Sequence, residues 1–228
     1  MEKRIMRIKD LTHGVFKKSA LVVIAGALVC GMAGCGSTDQ PEEKAESVRQ
    51  TTEQDAASQT QETSGLHHVE ITIKDYGTVA LELDADTAPV TVENFINLAE
   101  EGFYDGLTFH RIIDGFMIQG GDPAQSGSDK TAEPIVGEFA SNGYENDISH
   151  KEGVISMART QDPNSASSQF FITVADSEFL DGEYAAFGHV TEGLDIVKQI
   201  AKDAEPIDEN GTIPLEAQPV IEQIRVLD

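Results

Sequence analysis

The sequence predicts a mostly β domain of the antiparallel barrel or sandwich type. Three observations lead there: short runs in which apolar and polar residues alternate, Gly-rich turns between them, and only two segments with helical periodicity. Val69, Ile71 and Ile73 alternate with polar neighbours, as one face of a strand requires. Tyr76-Gly77 supplies a turn, and Val79, Leu81 and Leu83 resume the alternation, which is a hairpin pattern. Thr87-Ala88-Pro89 opens a helix with Val92, Phe95, Ile96, Leu98 and Ala99 on one face, and Gly102 ends it. Further short strands are expected at Thr108–Ile112, Phe116–Gln119, Gly153–Ala158, Gln169–Thr173, Ala186–Val190 and Pro219–Val226. A second helix is expected over Leu194–Ala201, its apolar face formed by Leu194, Val197, Ile200 and Ala201. No internal repeat is present.

Composition narrows the function without choosing it. The 228 residues carry 16 Lys and Arg against 40 Asp and Glu, a formal net charge of -24. That balance argues against nucleic-acid binding, which depends on basic side chains at phosphates. The only two cysteines, Cys30 and Cys35, lie near the N-terminus. The predicted β domain therefore has no disulfide framework, no thiolate metal site and no cysteine nucleophile. His110 has no partner at ligand spacing and His67-His68 sits at the domain entrance, so no metal is expected.

Before the β domain the chain reads differently. Lys3, Arg4, Arg7, Lys9, Lys17 and Lys18 precede an uncharged, mostly apolar run, Ala20–Val29. That run is shorter than the ~20 apolar residues of a membrane span and follows the layout of an export signal. The end of this segment, Met32-Ala33-Gly34-Cys35, resembles the lipobox of bacterial lipoproteins. The resemblance implies that residues 1–34 are a signal peptide and that Cys35 becomes a lipidated N-terminus. Met32 stands where Leu is common in that motif. Two acyl chains suffice for stable anchoring. Residues 36–65 are rich in Ser, Thr, Gln, Glu and Asp. Such a composition buries too little apolar surface to offset chain entropy and reads as a tether, with an r.m.s. span of about 30 Å. Residues 66–228 form the expected domain.

The chemistry is concentrated in two segments. The first is Phe109-His110-Arg111-Ile112-Ile113-Asp114-Gly115-Phe116-Met117-Ile118-Gln119-Gly120-Gly121-Asp122. Simple alternation puts Phe109 and Arg111 on one strand face, and the strand after the Asp114-Gly115 turn returns with Phe116, Met117 and Gln119. A long cation, an amide and large apolar groups would then share one surface. The second runs from Met157-Ala158-Arg159-Thr160 to Ser168-Gln169-Phe170-Phe171-Ile172. Both segments resemble the cyclophilin signature. Thr87-Ala88-Pro89 with Asn94-Phe95, then Leu180-Asp181-Gly182 and Phe187-Gly188, follow in the family's order. The resemblance extends from about Val69 to Val226.

The resemblance implies a closed eight-stranded antiparallel β-barrel capped by two α-helices, and isomerisation of Xaa-Pro bonds without a cofactor. Residue by residue, Arg111 falls on the family's catalytic arginine, with Gln119 and Gln169 on the polar groups beside it. Phe116, Met117, Phe171 and Leu180 fall on the proline pocket. Ala158 and Arg159 fall on the segment whose backbone pairs with the substrate chain. Three positions depart from the common pattern. Phe179 stands where many members have Trp, which implies weakened cyclosporin binding. Tyr184 replaces a His at the pocket edge, implying altered preference. Arg159 replaces Asn, and its charge is expected to favour acidic substrates. The expected partners are Pro-containing polypeptides and, through Cys35, an extracytoplasmic bacterial membrane surface. A monomer is expected. The alternative reading is a Pro-peptide-binding module or chaperone with incidental turnover.

Overall fold

The structure, a computed structural model, describes residues 64–228. The predicted signal peptide, Cys35 and all of the tether but its last residues lie outside the described residues.

Among the described residues eight strands and two α-helices follow in the expected order. Strands β1 (Leu66–Ile73) and β2 (Gly77–Asp84) form the first hairpin, and α1 (Pro89–Glu100) follows. Next come β3 (Phe109–Ile113), β4 (Met117–Gly120), β5 (Val154–Met157), β6 (Phe170–Thr173) and β7 (Ala186–Glu192). Helix α2 (Leu194–Asp203) and β8 (Ile221–Val226) complete the domain. All seven ladders are antiparallel, in the order β3-β4-β6-β5-β7-β2-β1-β8.

The expectation of a closed barrel is corrected here. The sheet has two ends, β3 and β8, with no ladder between them. They approach at a seam just ahead of both strands. A lone bridge joins Thr108 to Val220, and Phe109 N donates to Pro219 O at 2.9 Å. Farther along β3 another segment occupies the edge: Ile112 N donates to Gly211 O at 2.8 Å and Ile213 N to His110 O at 2.9 Å. The edge of β3 is thereby satisfied without β8, and the barrel stays open along that line.

The core is aromatic. The Phe95 ring centroid lies 5.1 Å from Tyr104, 5.5 Å from Phe170 and 5.3 Å from Phe187. Phe109 meets Phe170 edge-on at 5.9 Å. Such tilted and edge-on pairs suit the ring quadrupoles and add to area burial. Helix α1 contributes Val92, Phe95 and Ala99 to this core, and α2 contributes Val197, Ile200 and Ala201.

The register of β3 departs from simple alternation. Phe109 pairs with Gly120 and Arg111 with Gln119, so His110 is an extra residue in a bulge. Phe109 therefore enters the core while Arg111 stands on the opposite face, and the expectation that they share a face fails for this reason.

Helix α1 starts without a local side-chain cap. Pro89 has no N–H to satisfy, and the buried Glu138 reaches in from a loop for the next two donors. Its carboxylate accepts from Val90 N at 3.1 Å, Thr91 N at 2.8 Å and Thr91 Oγ1 at 2.7 Å. Replacing Glu138 by Ala leaves the two Thr91 donors buried without a partner. The Glu138→Ala variant should lose about 2 kcal/mol in urea unfolding. An unchanged midpoint and slope would show that the remote cap contributes nothing.

Candidate active site

Strands β3, β4 and β6 build one wall through alternation. Ile112, Ile118, Phe170 and Ile172 point into the core. Their neighbours point the other way: Arg111 and Ile113 from β3, Met117 and Gln119 from β4, Phe171 from β6. The pairings Arg111–Gln119, Ile113–Met117 and Gln119–Phe171 set them side by side. Met117, Phe171 and Leu180 form a second buried apolar cluster, with Ile113, Phe116, Ala158 and Tyr184 packed against it.

Above this wall lies a cavity of about 390 Å³. Arg111, Phe116, Met117, Gln119, Ala158, Arg159, Phe171, Phe179, Leu180 and Tyr184 line it. Gln169 is the one expected residue outside this lining. It belongs to an adjoining depression shared with Gln119, Ala158 and Arg159. Phe179 is 72% exposed, its ring 5.5 Å from Phe116, so it forms a projecting rim. Tyr184 stands edge-on to Phe171 at 5.9 Å and walls the pocket as expected of its ring.

The arginine is held by neutral groups. Its Nε donates to Asn210 O at 2.8 Å, and Nη1 donates to Gln119 Oε1 at 3.2 Å and points to Met117 Sδ at 3.8 Å. Among the described residues Nη2 has no protein acceptor. Burial pulls the guanidinium below its ordinary pKa, while Tyr184 and Asp208 act in the opposite direction. Arginine nonetheless remains charged.

Behind Gln119 runs a polar chain whose direction is fixed. Gln119 Nε2 donates to Gln169 Oε1 at 3.0 Å, and Gln169 Nε2 donates to Asp122 Oδ2 at 2.8 Å. The carboxylate accepts only, so both amides must turn their oxygens toward the arginine. Asp122 thereby orients Gln119 without touching the cation. The sequence signal for Asp122 was its place at the end of the first motif.

Arg159 lines the pocket with its guanidinium anchored to the protein. Nε and Nη2 donate to Glu183 O at 2.9 and 2.7 Å, and Nη1 donates to Thr160 O at 2.9 Å. Its guanidinium lies between the rings of Phe139 and Tyr184, 4.9 and 4.8 Å from their centroids. The Glu183 carboxylate is 3.5 Å away. Three of its five N–H donors are spent on the protein's own loop, which fastens Tyr184 and holds the charge at the pocket edge.

A further cluster under the pocket escaped the sequence reading. His150 stacks on Phe171 at 6.0 Å. Its Nδ1 is 2.9 Å from Asp181 Oδ1 and its Nε2 is 3.0 Å from Ser156 Oγ. The carboxylate requires Nδ1 to carry the proton, so Ser156 donates to Nε2. This Ser-His-Asp order resembles a hydrolase triad, but Ser156 is fully buried and no substrate can reach it. The cluster instead backs the pocket wall. Burial pushes the Asp181 carboxyl up, but hydrogen bonds from His150 and Ser149 hold it below the usual value. Leu180-Asp181-Gly182 marked this acid; nothing local marked His150.

Burial lowers the pKa of His150, outweighing the opposing pull of Asp181, and burial also lowers that of His110. Between these lowered values and the unfolded value of about 6.5 the unfolded chain binds more protons, so stability rises with pH there and is complete above that value. His68 is raised, chiefly by its hydrogen bond to Asp228, and works in the opposite sense. Its contribution is complete below about pH 6.5 and fades as pH climbs through its folded value. Urea unfolding from about pH 5 to about pH 7 should therefore show a shallower rise in stability for His150→Gln than for wild type. Identical slopes would mean that His150 is not held neutral by burial.

Residues 68–226 match the family described as cyclophilin type peptidyl-prolyl cis-trans isomerase/CLD. The chain is 45% identical to peptidyl-prolyl cis-trans isomerase A of Dickeya dadantii over 131 residues, 55% of this chain and 67% of that one. It is 44% identical to peptidyl-prolyl cis-trans isomerase B of Escherichia coli over 134 residues, 55% of this chain and 79% of that one. A cyclophilin type isomerase from Cryptosporidium parvum superposes with a TM-score of 0.62 at 28% identity, covering 72% of this chain and 99% of that one. A second crystal structure of that protein was obtained in the presence of the dipeptide Ala-Pro, with a TM-score of 0.61. A family match over residues 68–226, on a fold that superposes on a solved cyclophilin type isomerase, makes this protein a member of the cyclophilin family of peptidyl-prolyl cis-trans isomerases.

Proposed function

We propose that this isomerase is lipid-anchored outside the cytoplasm through Cys35, accelerates Xaa-Pro rotation in secreted or envelope proteins, and uses Arg111 as its catalytic residue. The observation that carries the catalytic part is the arrangement of Arg111. Two arms of its fork are held by Asn210 O and Gln119 Oε1, and Nη2 has no acceptor among the described residues.

A peptide bond resists rotation by about 18–20 kcal/mol because resonance makes the C–N bond partly double. At the twisted transition state the prolyl nitrogen becomes pyramidal and regains its lone pair. A guanidinium donor aimed at that nitrogen binds the twisted form better than either planar form, which is the condition for catalysis. Phe116, Met117, Phe171 and Leu180 provide an apolar seat for the proline ring. Displacing water from that seat strengthens the electrostatic interaction. Ala158 N is already spent on Gln169 O at 2.9 Å, which leaves its carbonyl for the substrate chain. No nucleophile or proton transfer enters this scheme, and Gln119, steered by Asp122, holds the cation without neutralising it.

The extracytoplasmic part rests on the leader, the Met32-Ala33-Gly34-Cys35 sequence and the polar segment before β1. Folding of exported chains is often limited by proline isomerisation, which takes about 10–100 s uncatalysed. An anchored isomerase would act where those chains emerge.

The catalytic reading is tested on the full chain with a Pro-containing peptide. Arg111→Ala should slow kcat/KM at least about tenfold, some 1.4 kcal/mol of barrier, while keeping the wild-type fold. A variant that turns over as fast as wild type would remove Arg111 from catalysis. If Arg111→Ala were slowed and still rescued a slow-folding client as well as wild type, the binding-module reading would take the place of the catalytic one. For the anchor, Cys35→Ala should move the protein from the membrane fraction to the soluble one in cells, and retention at the membrane would refute lipidation at Cys35.

A further inference from the structure

The turn between α2 and β8 bears directly on the arginine. Glu209-Asn210-Gly211 follows Asp208, and the backbone here pairs with β3 on both sides of Arg111. Ile112 N donates to Gly211 O at 2.8 Å, Ile213 N donates to His110 O at 2.9 Å, and Thr212 pairs with Arg111 in an isolated antiparallel bridge between the two segments. The pairing brings the Asn210 carbonyl to 2.8 Å from Arg111 Nε. Gly211 has φ +84, and a Cβ there would lie 2.5 Å from Ile112 O and 2.6 Å from Ile113 Cγ1. Only glycine permits this close approach.

Asp208 closes the turn. Its carboxylate accepts from Thr212 N at 3.0 Å and from Thr212 Oγ1 at 2.9 Å, one bond to each oxygen. Ile207 N donates to Thr212 O at 2.9 Å and Gly211 N to Asp208 O at 3.2 Å, so the loop is cinched at its base. These bonds hold the Asp208 carboxyl below the usual range, in keeping with a carboxylate serving as a fixed acceptor. The side chain is exposed and is not part of the pocket lining, although its charge is near enough to favour the protonated Arg111 guanidinium.

We propose that Asp208 is a positioning residue: by locking the turn it fixes the Asn210 carbonyl on Arg111 Nε, and so sets the direction of the guanidinium in the pocket. The arginine side chain has four rotatable bonds, and Gln119 alone fixes only one point of the fork. A second fixed acceptor, on the opposite arm, converts a tethered cation into an aimed one. Loss of aim costs rate more than binding, because the apolar seat that holds the proline ring is untouched. This inference rests on the catalytic reading of Arg111.

The test compares wild type, Asp208→Ala, Asp208→Asn, Arg111→Ala and the double variant Arg111→Ala/Asp208→Ala, all as full chains. Asp208→Ala should lower kcat about five- to tenfold with KM within about twofold. Asp208→Asn keeps an acceptor for Thr212 N and a donor for Thr212 Oγ1, and should restore kcat to within about twofold of wild type. In the Arg111→Ala background the Asp208 change should have no further effect on rate, as expected for a residue that acts through the arginine. The Arg111 Nε–H resonance should be protected from exchange in wild type and exposed in Asp208→Ala. Full activity of Asp208→Ala beside a crippled Arg111→Ala would overturn the positioning role and spare the catalytic reading. An equal loss from Asp208→Ala in both backgrounds would also overturn it, by showing a merely structural effect. Full activity of Arg111→Ala would instead overturn the reading on which it rests. Should Asp208→Ala fold poorly, Thr212→Val removes one of the two bonds and should give an intermediate loss of kcat; a wild-type kcat there, or an unprotected Nε–H in wild type, would contradict the proposal.

Discussion

At His110 the β3–β4 ladder takes one residue more on one strand than on the other, and the site depends on that extra residue. Without it, Phe109 and Arg111 would face the same way, and either the aromatic core would lose a ring or the cation would be driven among Phe95, Tyr104 and Phe170. With it, the strand spends Phe109 on the core and Arg111 on the pocket within three positions. Bulges are suited to re-aiming a side chain in this way. The rest of the outer wall follows by ordinary alternation, since β4 and β6 carry Met117, Gln119 and Phe171 on the face that Arg111 has been turned to.

The open seam serves the same end. Had β8 closed on β3, the edge of β3 would have been filled by a regular strand. Instead residues 211–213 occupy it, and a tight turn comes close enough for a backbone carbonyl to reach the guanidinium. Neutral acceptors on two sides, with a carboxylate held back at Asp122 behind two amides, orient the positive charge without cancelling it. An arginine paired directly with a carboxylate would have less to offer a developing lone pair.

Much of this was legible in the sequence. Alternation located β1 and β2, period-3.6 faces located both helices, and the two motif segments hold seven of the ten residues that line the cavity, Arg111 among them. What escaped has a common cause. The bulge at His110 leaves the local composition unchanged, so alternation alone put Phe109 on the wrong face. The Glu138 cap on Thr91, the Asn210 carbonyl on Arg111 and the His150 support behind Phe171 join positions far apart in the chain or lacking any periodic mark. Hydrogen-bond partners across a fold are chosen by the register of strands, and register is a property of the whole sheet. Arg159 shows the same limit: its charge was plain, but not that the Glu183 and Thr160 carbonyls would take three of its donors.

The central claim is that Arg111 recognises the twisted bond and not the resting peptide. It is tested most directly by exchange NMR on a Pro-containing peptide bound to wild type and to Arg111→Lys, which separates affinity from the cis–trans rate on the enzyme. Lysine keeps the charge and loses the planar fork. The account predicts peptide affinities within about twofold and an on-enzyme exchange rate at least about tenfold lower for the lysine variant. Equal exchange rates with weakened affinity would contradict it, by showing that Arg111 binds the substrate and does not act on the rotation.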